Sequence, residues 1–135
     1  MDIKEVHDAI HILYTNGTSK DLIKRAINNI FNRSFPASVP TIADILIDEK
    51  DYPLALEYCN LALKSIHIDE LYFLKARCHF SLKEYNECLN SLNKITNEYY
   101  MNKSEDMKEL ALMKIPKSKD WYSSVLFDIM KSILY

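Results

Sequence analysis

Two groups of residues in this chain have types that could do chemistry. His7 and His11 stand four apart in a stretch of helical periodicity, so both imidazoles could face one metal ion. A zinc-protease helix also needs a glutamate directly after the first histidine and a further ligand. Asp8 follows His7 instead, and no third ligand is evident in the sequence. Cys78 and His79, with Cys88 nearby, could form a thiol–imidazole dyad or a zinc site. However, Cys59, Cys78 and Cys88 lack C-x-x-C spacing and fall at inward helix positions, where cysteine behaves as a small hydrophobe. A single glycine rules out a glycine-rich phosphate loop. The carboxylates are spread over turns and helix surfaces. The sequence therefore predicts no catalytic residue, no metal and no cofactor. The alternative is a small metal-binding protein or enzyme using His7 and His11, or Cys78 and His79.

The elements that would carry these residues are helical. One glycine and four prolines are too few for a turn-rich β fold, and 135 residues at 48% hydrophobic suit one domain, 1–135. Apolar stripes predict helices over 2–14, 19–33, 41–49, 53–65, 69–82 and 85–96, a short one over 105–113, and a last one over 120–135. Pro36 and Pro40 break the pattern within 34–40. Asp69 reads as an N-cap, and the polar run 96–106 reads as a loop. The formal charge of −2, from 17 basic and 19 acidic residues, gives no electrostatic case for nucleic acid. No apolar run reaches membrane-spanning length and no signal region opens the chain, so the expectation is a cytoplasmic or nuclear protein without a membrane partner.

One pattern occurs twice. Tyr52, Ala55, Cys59 and Ala62 follow at steps of three, four and three, as do Tyr85, Cys88, Leu92 and Ile95, at an offset of 33 residues. The same offset pairs Ala43 with Ala76 on the preceding helices. In these residues, and in the phrase LYFLKARCHFSLKEY, the chain resembles the tetratricopeptide repeat (TPR) family. Lys75 and His79 depart from the family's usual apolar residue and tyrosine. The resemblance implies an all-α fold, with TPR-like antiparallel helix pairs forming a short right-handed solenoid with flanking helices. It divides the chain into an N-terminal extension (1–33), repeat one (36–68), repeat two (69–97) and C-terminal helices (104–135). The wording KARCHFSLKEYNECLNSL, with Ala76, Cys78, His79, Phe80 and Tyr85, is also similar to the N-terminal TPR region of anaphase-promoting complex subunits. That likeness implies a scaffold that dimerises within a ubiquitin-ligase assembly.

In the TPR family the first helix of each repeat lines a concave groove. The resemblance therefore assigns partner contact to Asp44 and Ile47, with Pro40 and Asp48, in repeat one. In repeat two it assigns Glu70, Phe73, Arg77 and Phe80, with Ser81. An arginine between two phenylalanines suits a protein or peptide ligand, whereas Asp44 would repel the C-terminal carboxylate that co-chaperone TPR domains grip. The alternative is that helix 120–135 fills the slot. The apolar ending Ile133-Leu134-Tyr135 predicts cover by more chain, by another protein or by a second copy, a homodimer.

Overall fold

The computed structural model describes residues 2–115 and 129–133, and they are helical with no strand among them. The helices are α1 (Ile3–Thr15), α2 (Lys20–Phe31), α3 (Val39–Asp48), α4 (Tyr52–Leu63), α5 (Asp69–Ser81), α6 (Tyr85–Leu92) and α7 (Glu98–Lys114), and residues 129–133 are also helical. Side-chain caps start several of them. Asp2 accepts from Glu5 N–H at 2.8 Å, Ser19 from Leu22 N–H at 3.4 Å and Asp51 from Leu54 N–H at 3.3 Å, each satisfying a donor the helix leaves open. Short turns join α3 to α4 and α5 to α6, so each pair runs antiparallel.

The repeat-defining positions are core. Ala43, Ala76, Ala55, Cys59, Ala62 and Cys88 are fully buried, and small side chains there let neighbouring helices approach closely. Two hydrophobic cores share α5. Leu71, Leu74 and Cys78 face the first, built with α1 to α4, while Phe73 and Ala76 face the second, built with α6 and α7. The helix is apolar on two sides because it is packed on two sides. Ile3, Leu22 and Ile30 are exposed, although they sit on apolar stripes.

One turn recurs three times. Gly17, Lys50 and Lys83, spaced 33 residues apart, have φ of 70°, 59° and 63°. Each ends an odd-numbered helix with the same pair of bonds. Thr18 N–H reaches Leu13 O at 3.0 Å, Asp51 N–H reaches Leu46 O at 2.9 Å and Glu84 N–H reaches His79 O at 2.8 Å. The second bond of each pair spans three residues, from Gly17 N–H to Tyr14 O, Lys50 N–H to Ile47 O and Lys83 N–H to Phe80 O. This is the Schellman closure, which favours glycine at the left-handed residue. Ile10 lies one period before Ala43 and is equally buried. Gly17 and Ile10 of the N-terminal segment therefore fall on the same 33-residue spacing as their counterparts in the later pairs. A Cβ at φ near 60° costs about 1 kcal/mol or more, so Lys50→Gly and Lys83→Gly should each raise the unfolding free energy by up to about 1 kcal/mol. Chemical denaturation checks this, and a loss of stability would contradict the assigned turn.

The expected loop over 96–106 is corrected. Helix α7 starts at Glu98 and runs 17 residues, absorbing both that segment and the short helix expected at 105–113. Asn97 caps it through Tyr99 N–H at 2.9 Å, and Tyr100, Ser104, Met107 and Ala111 form the stripe turned towards α5 and α6. Asp69 is not an N-cap either. It is the first residue of α5, and its carboxylate accepts from Asn97 N–H at 2.6 Å and Thr96 N–H at 3.2 Å, tying the start of α7 to that of α5.

Candidate partner-binding groove

The odd-numbered helices lie side by side, with α3 against α5 and α5 against α7. Helix α1 joins them through His11 Nδ1 to Glu49 Oε1 at 2.8 Å and His7 Nδ1 to Asp48 Oδ2 at 3.8 Å. On the resulting face His11, Asp44 and Arg77 stand one period apart and mark equivalent positions on three helices. Arg77 Nη1 lies 3.7 Å from Asp44 Oδ1. Lys103 of α7 sits over the rings of Phe73 at 5.2 Å and Tyr99 at 5.6 Å.

Although half of it is exposed, partial desolvation by the neighbouring helices raises the Asp44 carboxyl from its usual value. Arg77 opposes this shift, Asp48 reinforces it, and Lys103 and His7 oppose it more weakly. These charges from four helices thus act on a single side chain. A carboxylate whose folded pKa is raised lowers stability as pH rises through its titration, because the unfolded chain gives up the proton more readily. Because the side chain is 52% exposed, water screens most of this effect, and Asp44→Asn should melt only slightly higher than wild type at neutral pH. The difference should fade below about pH 4, where the unfolded carboxyl is protonated. Thermal melts across pH test this, and a variant that is less stable at pH 7 would contradict it.

Of the sequence-predicted site residues, Asp44 is exposed, and Glu70, Arg77 and Phe80 are half-buried. Ile47 and Phe73 are not on an open surface: Ile47 packs in the first core and Phe73 in the second. Phe73 is covered because α7 lies over it, with the Tyr100 ring 5.9 Å away. Pro40 is buried, while Asp48 and Ser81 are exposed. Tyr99, Tyr100 and Lys103 belong to the face but were hidden in sequence by the loop reading of their segment. A helical-period count over Tyr100, Ser104, Met107 and Ala111 was the signal that could have found them. Of the helix expected at 120–135, which would close the slot, only 129–133 is described.

The residues of the alternative reading do not converge. His7 and His11 turn to different carboxylates. His79 Nδ1 donates to Glu84 Oε1 at 3.1 Å, while its buried Nε2 has no hydrogen-bond partner among the described residues. Burial pushes the Cys59 and Cys78 thiols up to about 12 and Cys88 to about 11, which disfavours the reactive thiolate. Among the described residues no three His, Cys, Asp or Glu side chains are grouped to hold a metal ion. No described helix is long and apolar enough to cross a membrane.

A separate cleft of about 260 Å³ opens between α2 and α4, lined by Ile27, Phe31, Phe35, Tyr58 and Leu61 among others. Tyr58 Oη donates to Asn28 Oδ1 at 2.8 Å beside it. Burial pushes that phenol up to about 12, so it remains a donor at neutral pH. Compared with known proteins, the chain matches no family model, no curated protein and no solved structure.

Proposed function

We propose that the chain is a non-catalytic protein–protein interaction module, a TPR-type scaffold or adaptor. In this reading the helix pairs stack as a short right-handed solenoid, and the face of the odd-numbered helices receives a protein or peptide. The observation that carries it is the helix-ending turn at Gly17, Lys50 and Lys83, recurring at a 33-residue spacing. A fixed period of this length is the mark of stacked helix pairs. Repeat stacking places equivalent side chains such as His11, Asp44 and Arg77 along one extended surface.

The test uses short random peptides displayed and selected on the wild-type protein. Arg77→Glu replaces a long, half-exposed ion pair with a solvated like-charge contact to Asp44, so its stability should fall by no more than about 1 kcal/mol. Its affinity for the selected peptides should fall tenfold or more, about 1.4 kcal/mol. Failure to select any peptide, or selected peptides indifferent to Arg77→Glu, would overturn the groove assignment.

A further inference from the structure

At the level of Asp44 and Arg77 the groove changes sign from α3 to α5, with Glu70 a separate acid two turns away at the start of α5. At equivalent positions α3 presents Asp44 and α5 presents Arg77. Asp48, one helical turn from Asp44, strengthens the acidic side, and Lys103 on α7 strengthens the basic side. None of these four side chains is hydrogen-bonded within the described residues. The two ion pairs they make, Asp44–Arg77 at 3.7 Å and Asp48–His7 at 3.8 Å, are longer than hydrogen bonds. Both involve exposed carboxylates, 52% and 68% accessible, so water already competes for them.

The neighbouring charges differ from this. His11–Glu49 closes at 2.8 Å, and Asp51 is engaged by both Tyr14 and Lys20. On the same face, then, His11 is already engaged on α1, while Asp44, Asp48, Arg77 and Lys103 of α3, α5 and α7 keep unused hydrogen-bonding capacity. An arginine fork and a pair of carboxylates on adjacent helices recognise opposite charges on one ligand. The Asp44 and Arg77 charges lie 3.7 Å apart, so complementary peptide charges would come from neighbouring side chains on one face of an extended peptide, about two residues apart. The exposed ring of Tyr99 and the half-buried ring of Phe80 offer apolar contact beside the basic side.

Resting on the groove reading above, we propose that this face receives an extended peptide with a lysine or arginine over Asp44 and Asp48. About two residues away, on the same face, the peptide places an aspartate or glutamate over Arg77 and Lys103. The like-charged neighbours on each side would reject a peptide with the two charges exchanged.

Selection of displayed short random peptides on the wild-type protein should enrich this basic–acidic pair. Asp44→Lys together with Asp48→Lys should weaken those peptides tenfold or more while circular dichroism melts stay cooperative. The swapped protein, Asp44→Arg with Arg77→Asp, should prefer synthetic versions of the same peptides with their two charges exchanged. Peptides that are weakened by Arg77→Glu but carry no basic residue would overturn the charge assignment and leave the groove reading standing. Peptides insensitive to every one of these variants, or the absence of any enriched peptide, would overturn both. Equal preference of the swapped protein for either charge order would overturn the assignment as well.

Discussion

Leu71→Ala should lower the unfolding free energy by about 2–5 kcal/mol, the range for truncating a fully buried leucine. Leu71 is completely inaccessible and enters the first core from the start of α5, the helix both cores share. The cost combines lost apolar burial with the cavity left behind, and helices packed on both sides have little freedom to collapse into it. For a chain of this size the melting temperature should drop by roughly 10 °C. Because α5 belongs to both cores, far-UV circular dichroism and tryptophan-independent probes such as tyrosine fluorescence should report one transition rather than two. A loss below about 1 kcal/mol would mean that Leu71 is not in a packed core.

Asp51→Ala should cost about 3 kcal/mol at neutral pH, combining a lost helix cap with lost hydrogen bonds to a charged group. The Asp51 side chain gathers three helices. Its Oδ1 accepts from Leu54 N–H at the start of α4, and its Oδ2 accepts from Tyr14 Oη at 2.6 Å and pairs with Lys20 of α2. Burial opposes ionisation of Asp51, but hydrogen bonds from Lys20, Tyr14 and Leu54 N–H outweigh it and hold the carboxyl below its usual value. The Tyr14 phenol moves the other way: burial first, then the Asp51 carboxylate, push it far above its ordinary value, so it stays a donor.

The sign of the pH dependence follows. A carboxyl depressed in the folded state contributes stability that is fully present above its unfolded pKa, about 3.9, and is lost as pH falls through the folded value. The gap between wild type and Asp51→Ala should therefore be constant from pH 5 to 7 and narrow below about pH 4. Urea titrations at stepped pH measure it. A gap that widens on acidification would contradict the network.

The middle of the fold was legible because its cues were intact. Tyr52 and Tyr85 repeat with small residues at fixed steps behind them, and Ala43 and Ala76 repeat on the preceding helices. Ile10 and Gly17 fall on the same spacing, but the cues around them are weaker. Ile10 occupies the place of the two alanines, so the small-residue cue is missing. The left-handed turn is a glycine only at Gly17; Lys50 and Lys83 fill it in the later pairs, and a lysine announces no such turn. Helix α7 was misread because its inward stripe includes the polar Ser104, and because its anchor is Asp69, 28 residues before Asn97. That long-range bond has no local signature.

The candidate site was readable in part for the same reason. Asp44, Glu70, Arg77 and Phe80 project from helices whose register the repeat defines, so their face could be assigned from sequence. Phe73 shares that register but is buried under α7, and Ile47 packs into the first core; no local pattern specifies either cover. Cover by a neighbouring element is a tertiary property, and a helical stripe reports only direction.

The most direct test of the groove is amide chemical-shift mapping with a peptide selected on the wild-type protein. The expected perturbations follow the odd-numbered helices, around His11, Asp44, Asp48, Arg77 and Lys103, and are lost in Arg77→Glu. Perturbations confined to the α2–α4 cleft, around Asn28, Phe35 and Leu61, would contradict the account and move partner binding to the opposite helices.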